Sequence, residues 1–283
     1  MNSEIIEKIV EELPVMDSVA QQIITIINDE NTTASKLESL IKKDSVLTLK
    51  ILKLANSTYF SPMKPITTVA HAIRYVGFST LKSLVYSIAL QSIGNSKGKG
   101  GEEIKYLHRK SLANAAVSMI IGRSFFKKNR SLYSPEDYYT FSLFHDIGLI
   151  ALANYDIDKY LDIKMNVVKK DSYLTDIENE FPHSEIGLVL MEKWKIPQIF
   201  SEFTKEHHNL QDHESKYYVP AKLTEISEHL CFIMDYDVFA KRDIDVIHEM
   251  VELNIDPTEY FDDQGELKDL KEQVEDILGS IIS

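Results

Sequence analysis

The chain has 283 residues, 44% of them hydrophobic, which is enough for one large or two modest domains and too apolar for a disordered protein. Its 44 Asp and Glu residues outnumber its 31 Lys and Arg residues, and the net charge of −13 argues against nucleic acid or an anionic membrane as a partner. No signal peptide and no apolar run of roughly 20 residues is evident, so a cytoplasmic location is expected.

The apolar residues of the N-terminal third recur at helical spacing and never alternate with a strand period. They form short amphipathic stretches within residues 5–13, 19–27, 37–41, 47–54, 69–76 and 81–88. Pro14, Pro62, Pro65 and Gly77 separate several of these stretches, because neither residue type continues a helix well. An all-α fold is predicted.

A glycine-rich segment follows at residues 94–103, with glycines at positions 94, 98, 100 and 101. Such a segment predicts a flexible linker or loop between an N-terminal helical subdomain, residues 1–95, and a C-terminal one, residues 104–283. Helical spacing resumes downstream within residues 107–126, 138–155, 186–194, 199–208 and 220–234. A C-terminal tail, residues 244–283, contributes two further amphipathic pieces.

Histidines and one acidic residue form the candidate site: His145 beside Asp146, then His183, then the pair His207 and His208. Imidazole and carboxylate groups bind zinc, iron or manganese, and a bridging carboxylate suits a two-metal hydrolytic site. Apolar neighbours would bury Asp146, which must then find a cation, a donor or a metal. The alternative is a hydrogen-bonded His–Asp pair that only joins helices.

Several segments together resemble one family. They are His145-Asp146-Ile147-Gly148, Phe181-Pro182-His183-Ser184-Glu185, Trp194-Lys195-Ile196-Pro197, the pair His207-His208 and, in the N-terminal half, Leu54-Ala55-Asn56-Ser57-Thr58-Tyr59-Phe60. In these segments the chain resembles the HDOD family, the HD-related output domains that are relatives of the HD and HD-GYP metal phosphohydrolases. The resemblance covers about residues 10–235. It implies a multi-helix HD-like bundle with an N-terminal helical subdomain, and a degenerate HD-like site in residues 104–283.

The resemblance also implies a ligand set, which this sequence keeps in part: His145, Asp146, His183, His207, His208 and Glu228. The first ligand of an HD site is a histidine, and Lys110 stands at that position here. A charged lysine has no lone pair and repels a metal cation. His108 lies about 200° away round the helix and could replace the ligand only through a register shift. The last ligand, an aspartate in the family, corresponds to Glu228.

We therefore interpret Lys110 as a substitute for a metal: its ammonium group would neutralise Asp146 and Glu228. No catalytic residue and no cofactor are assigned on this interpretation. A divalent ion, Fe, Mn or Zn, is the alternative.

The predicted function is a non-catalytic output or scaffold module of bacterial signal transduction, with a protein partner and an open oligomeric state. The alternative is a metal-dependent phosphohydrolase or cyclic-dinucleotide phosphodiesterase of the HD type. A third interpretation, a DNA-binding helix pair at residues 35–55 with five lysines, is less favoured than a solvated amphipathic face, and nucleic acid is not expected as a partner.

Overall fold

The computed structural model describes residues 3–13, 18–29, 31–93, 100–170, 181–208, 212–239 and 245–282. This part of the chain is α-helical, and its only β feature is an isolated bridge between Phe261 and Leu267. The predicted all-α fold is confirmed. Within the same residues, no helix is both long enough and apolar enough to cross a membrane.

The N-terminal helices are α1 (Ser3–Glu12), α2 (Ser18–Ile27), α3 (Ala34–Ile41), α4 (Ser45–Ala55) and α5 (Val69–Gln91). Side chains of Thr33, Asp44 and Thr68 cap the start of α3, α4 and α5 by accepting a backbone N–H, which satisfies donors that the first turn leaves free. Helix α5 is kinked at Gly77, whose φ of 84° is accessible mainly to glycine. The break predicted there is confirmed.

The remaining helices are α6 (Gly101–Lys128), α7 (Pro135–Phe144), α8 (Ile147–Tyr155), α9 (Ile157–Lys170), α10 (His183–Lys193), α11 (Gln198–Glu206), α12 (Tyr218–Ile233), α13 (Val246–Glu252) and α14 (Leu270–Ile282), with a 3₁₀ turn at Pro257–Glu259. Helix α6 packs against both α7 and α12 and contributes an almost continuous run of buried residues. It therefore lies inside the C-terminal half, where its side chains can reach several neighbours.

The predicted linker lies mostly outside the described residues, at positions 94–99. Gly100 has a φ of 99° and directly precedes α6, which begins at Gly101, so residues 101–103 are helical and not part of a loop. The division into two subdomains remains a prediction. The buried hydrophobic side chains of both halves form one cluster, because α1 packs against α8 and α10.

Helix α14 connects the end of the chain to the N-terminal half. It packs against α4 and α6, and Asp276 accepts a hydrogen bond of 3.0 Å from the backbone N–H of Tyr59. Its apolar residues are buried in this contact, among them Val274 and Ile277. The segment that follows α4 is thus covered by residues more than two hundred positions later.

The helix predicted over residues 138–155 is interrupted, and in this respect the prediction is wrong. Helix α7 ends at Phe144 and α8 begins at Ile147, so that His145 and Asp146 lie in a turn between them. Apolar spacing runs through this turn unchanged because both helices are buried on most sides. The turn lets the start of α8 approach the start of α10, where only glycine fits: a Cβ on Gly148 would lie 1.9 Å from the carbonyl oxygen of His183.

This close approach predicts the effect of a single methyl group. We expect Gly148→Ala to lower the free energy of unfolding by roughly 3 kcal/mol, because a backbone carbonyl cannot rotate away as a side chain can. Gly279→Ala is the matched control, since no atom lies within 4 Å of its added Cβ and alanine favours a helix by about 1 kcal/mol. Urea unfolding measures both. Equal stabilities of the two variants would contradict the packing described here.

Candidate functional site

The structure brings together every candidate ligand and the lysine that replaces one of them. Lys110 lies on α6, His145 and Asp146 in the turn between α7 and α8, His183 at the first residue of α10, His207 and His208 directly after α11, and Glu228 on α12. Five separate elements therefore meet at one point. Their side chains are mostly removed from solvent: His145, Asp146 and His183 are at most 2% exposed.

Lys110 is completely buried, and its ammonium group contacts three carboxylates. Its Nζ atom donates to Asp146 Oδ2 at 2.5 Å and lies 3.3 Å from Asp237 Oδ2 and 3.7 Å from Glu228 Oε1. Burial alone lowers the pKa of Lys110, but the three carboxylates, Asp146 first, raise it well above its ordinary value. Lys110 is therefore charged at neutral pH.

Asp237 is the member of this cluster that sequence reasoning missed. It lies after α12, is 1% exposed, and accepts hydrogen bonds from Asn114 Nδ2 at 3.2 Å and from the backbone N–H of Phe239 at 2.8 Å. Burial raises its pKa, although Lys110 opposes that rise. Its one signal in the sequence is an acid among the apolar neighbours Tyr236, Val238 and Phe239, a pattern too common to single it out.

His145 joins the carboxylates on the same side as Lys110. Its Nδ1 atom contacts the Ser142 carbonyl at 2.7 Å, and its Nε2 atom lies 3.0 Å from Glu228 Oε1 and 3.2 Å from Asp146 Oδ2. A carbonyl and two carboxylates accept hydrogen bonds, so both ring nitrogens serve as donors. Burial alone would lower the pKa of His145, but the carboxylates of Asp146 and Glu228 outweigh burial and raise the pKa to about 10. Without a bound metal, the His145 ring is therefore an imidazolium.

The other three histidines lie on the opposite side of Asp146. His183 Nε2 is 3.3 Å and His207 Nε2 is 3.7 Å from Asp146 Oδ1, while His208 Nε2 is 3.0 Å from His183 Nε2. Burial lowers the pKa of both His207 and His208, and the neighbouring imidazoles lower it further. These two rings are therefore neutral, which is the form that binds a metal.

His108 does not join the site. Its ring lies at the end of α5, next to the backbone carbonyls of Ile93 and Leu90, and burial lowers its pKa to about 4. The register shift that could have made it a ligand is absent from α6, which is regular over this region. Lys110 is thus the residue that α6 contributes to the site.

The two sides of Asp146 differ in their fit to a metal ion. On one side, His145, Asp146 and Glu228 are close enough together to hold an ion, but the Lys110 ammonium already contacts both carboxylates, and a divalent cation would have to displace it. On the other side, three imidazoles and one carboxylate oxygen converge, and no cation among the described residues lies between them. Asp146 Oδ1 and His207 Nε2 are buried there without a hydrogen-bond partner in the described part of the chain.

An open cavity of about 890 Å³ lies elsewhere, between α6 and α14, and is lined by residues such as Tyr59, Arg123 and Tyr260. None of the candidate ligands lines it. The cavity is therefore separate from the candidate site.

The family model of the HDOD domain matches residues 13–210. The chain belongs to the HDOD family. The match includes Lys110 and all the histidines of the site, whereas Glu228 and Asp237 lie beyond it.

Solved structures share the fold of this HDOD protein. An HDOD domain protein of unknown function from Geobacter sulfurreducens is 18% identical, with a TM-score of 0.65 over 99% of this chain and 96% of its own. A provisionally named phosphohydrolase from Shewanella amazonensis SB2B is also 18% identical, with a TM-score of 0.67 over 97% of this chain and 94% of its own. At such identities the likeness concerns the fold alone.

A curated relative, an uncharacterized protein from Treponema pallidum, is 25% identical over 211 residues. The aligned region is 74% of this chain but only 40% of that protein. The HDOD chain therefore spans less than half the length of this relative.

The Lys110 contacts predict that the charge, not the length, of this side chain maintains the fold. We expect Lys110→Met to lower the free energy of unfolding by about 3–5 kcal/mol, because it leaves buried carboxylates without their cation. Lys105→Met on the same helix is the control: its exposed pair with Glu102 contributes less than about 1 kcal/mol. Chemical denaturation measures the free energy of unfolding of both variants. If Lys110→Met lowers it no more than Lys105→Met does, the assignment of the buried ion pairs is refuted.

Proposed function

We propose that this HDOD protein is a non-catalytic output or scaffold module of bacterial signal transduction that acts through contacts with another protein. One observation carries the proposal: the Lys110 ammonium group lies within 3.7 Å of Asp146, Asp237 and Glu228, where a metal-dependent hydrolase of this type requires an ion.

The position of Lys110 is incompatible with two-metal hydrolysis. That chemistry places two ions about 3.5–4 Å apart, so that they stabilise both the attacking and the leaving oxygen. An ammonium group neutralises carboxylates, but it has no coordination position and cannot activate a water molecule as a metal does. The carboxylate oxygens that would hold one ion are already in contact with it.

Burial supports the same conclusion. Asp146 is 2% exposed and His145 is 1% exposed, so a phosphate ester cannot contact either side chain without a rearrangement of the surrounding helices. A working hydrolase needs an open position for water and substrate next to its metal. Glu228, His207 and His208 are half-buried, but the central pair is closed to solvent, which fits a structural role better than a catalytic one.

A metal-dependent phosphohydrolase or cyclic-dinucleotide phosphodiesterase is the second candidate function. The observation that favours it is the set of metal-ligating groups on the other side of Asp146, formed by His183, His207 and His208. One ion there could act as a Lewis acid, although not as half of a two-ion pair. The closed site makes this candidate the weaker one.

A protein partner fits the surface of the N-terminal half better than a nucleic acid does. In the described part of the chain, thirteen large hydrophobic side chains are exposed, and five of them lie within residues 46–78, namely Val46, Leu49, Met63, Tyr75 and Phe78. Val46 and Leu49 are neighbours on one turn of α4, and adjoining exposed apolar side chains are typical of protein-binding surfaces. The lysines nearby are less available than their number suggests: Lys50 is buried and donates to Gln91, while Lys42 pairs with Glu38.

Enzyme assays test the catalytic alternative directly. We expect the purified protein, supplied with Mn²⁺ or Fe²⁺, to hydrolyse bis-p-nitrophenyl phosphate and cyclic dinucleotides no faster than its Asp146→Ala variant, because Lys110 excludes the second ion. The His145→Ala variant is a further control. Metal-stimulated turnover that both variants lose would replace the scaffold proposal with the phosphohydrolase.

The partner surface has its own test, by affinity capture from the native host followed by mass spectrometry. We expect a double variant, Val46→Glu with Leu49→Glu, to lose a captured partner by at least tenfold, because both side chains project from one face of α4. The matched control is Ile247→Glu with Val251→Glu, an equally exposed pair on α13. A partner retained by the α4 variant and lost by the α13 variant would move the proposed surface to α13.

A further inference from the structure

The two carboxylate oxygens of Asp146 face different environments. Oδ2 contacts the Lys110 ammonium at 2.5 Å, whereas Oδ1 faces His183 Nε2 and His207 Nε2 and has no hydrogen-bond partner in the described part of the chain. We propose that Asp146 Oδ1, His183, His207 and His208 bind one divalent transition-metal ion, and that Lys110 limits the protein to that single ion.

The tautomer of His207 points to a cation. Its Nδ1 atom lies 2.7 Å from the Thr204 carbonyl, which can only accept, so Nδ1 carries a proton and, in the neutral ring, Nε2 presents a lone pair. That lone pair faces Asp146 Oδ1, which is itself an acceptor, at 3.7 Å. Two buried acceptors that face each other are stabilised by a cation between them, and a backbone bond to the distal nitrogen is how proteins orient a metal-binding histidine.

Three of the six separations among the four groups are close to those of a tetrahedral metal site. Ligand bonds of about 2.0–2.1 Å place the corners of a tetrahedron about 3.3 Å apart. The observed separations are 3.0 Å between the Nε2 atoms of His208 and His183, 3.3 Å from His183 Nε2 to Asp146 Oδ1, and 3.7 Å from His207 Nε2 to the same oxygen. Three imidazoles with one carboxylate suit Zn²⁺, Fe²⁺ or Mn²⁺ rather than Mg²⁺ or Ca²⁺.

Charge explains why one ion is accommodated and a second is not. The Lys110 ammonium contributes one positive charge against the three carboxylates of Asp146, Glu228 and Asp237. The cluster can therefore tolerate further positive charge on the histidine side. On the other side, Lys110 contacts the oxygens that a second ion would need, so that Asp146 bridges an ammonium group and a metal instead of two metals.

The single-ion site rests on the same Lys110 contacts as the proposed function, but it does not depend on the absence of turnover. One bound ion accounts for the three histidines without restoring the pair of ions that hydrolysis by this kind of site requires. The ion would instead fix the relative positions of α10, α11 and the turn before α8.

Metal stoichiometry and affinity test the site without any activity measurement. The untagged 283-residue chain is first freed of metal with a chelator. It is then titrated in a calorimeter with Zn²⁺, with Mn²⁺ and, in the absence of oxygen, with Fe²⁺. Mass spectrometry counts the bound metal ions. We expect one ion per chain and a rise in the melting temperature on binding. His207→Gln should weaken the affinity about 100-fold or more, since it removes a ligand. His213→Gln, a change at an exposed histidine, should leave affinity unchanged.

The number of ions tests the role of Lys110. We expect Lys110→His to bind two ions per chain, because it replaces the competing ammonium with a neutral imidazole. Circular dichroism checks that each variant folds. If Lys110→His does not fold, the number of ions bound by the unaltered protein and by His207→Gln tests the single-ion site. No ion at micromolar metal, two ions in the unaltered protein, or an ion that His207→Gln retains would each overturn the single-ion site.

The two proposals fail in different ways. One ion without hydrolysis supports both of them. One ion with hydrolysis overturns only the non-catalytic function, and a protein with neither ion nor hydrolysis overturns only the single-ion site.

Discussion

A charged ammonium group cannot remain in a protein interior unless anions surround it, and Lys110 meets this requirement with carboxylates from three separate segments. Asp146 comes from the turn between α7 and α8, Glu228 from α12, and Asp237 from the chain that follows α12. Asp237 depends on the lysine most, because its other partners are uncharged and an unpaired buried charge costs several kcal/mol, whereas Asp146 and Glu228 also contact His145. The cluster therefore determines how these segments are arranged around α6.

The position of Asp146 makes the site asymmetric. One oxygen contacts the internal cation, while the other faces three histidines, and burial lowers the pKa of two of them, His207 and His208. Lys110, which stands where the resemblance to the family places the first ligand, accounts for this asymmetry. The histidine side retains its chemistry because a lysine at position 110 changes neither its ligands nor the bonds that orient them, such as that of His207 to Thr204.

Much of the fold and most of the site could be predicted from the sequence. Helical apolar spacing indicated the all-α fold, Gly77 indicated the kink in α5, and the dispersed His and Asp motifs indicated residues that the structure brings together. These features are local, or they belong to a family pattern. Asp237 and the turn at His145 are neither. The role of Asp237 depends on its distance from Lys110 in the folded chain, which no local pattern reveals. The turn at His145 leaves the apolar spacing continuous, because the helices on both sides of it are buried.

The hydrogen bond between Tyr59 and Asp276 has a consequence for how the chain acquires its fold during synthesis. The surface between α4 and α6 is apolar where α14 covers it, yet α14 is translated more than two hundred residues after Tyr59. During translation that surface therefore stays open to water and to other nascent chains until the ribosome has produced residues 270–282. Long-range contacts of this kind slow folding and prolong exposure to aggregation.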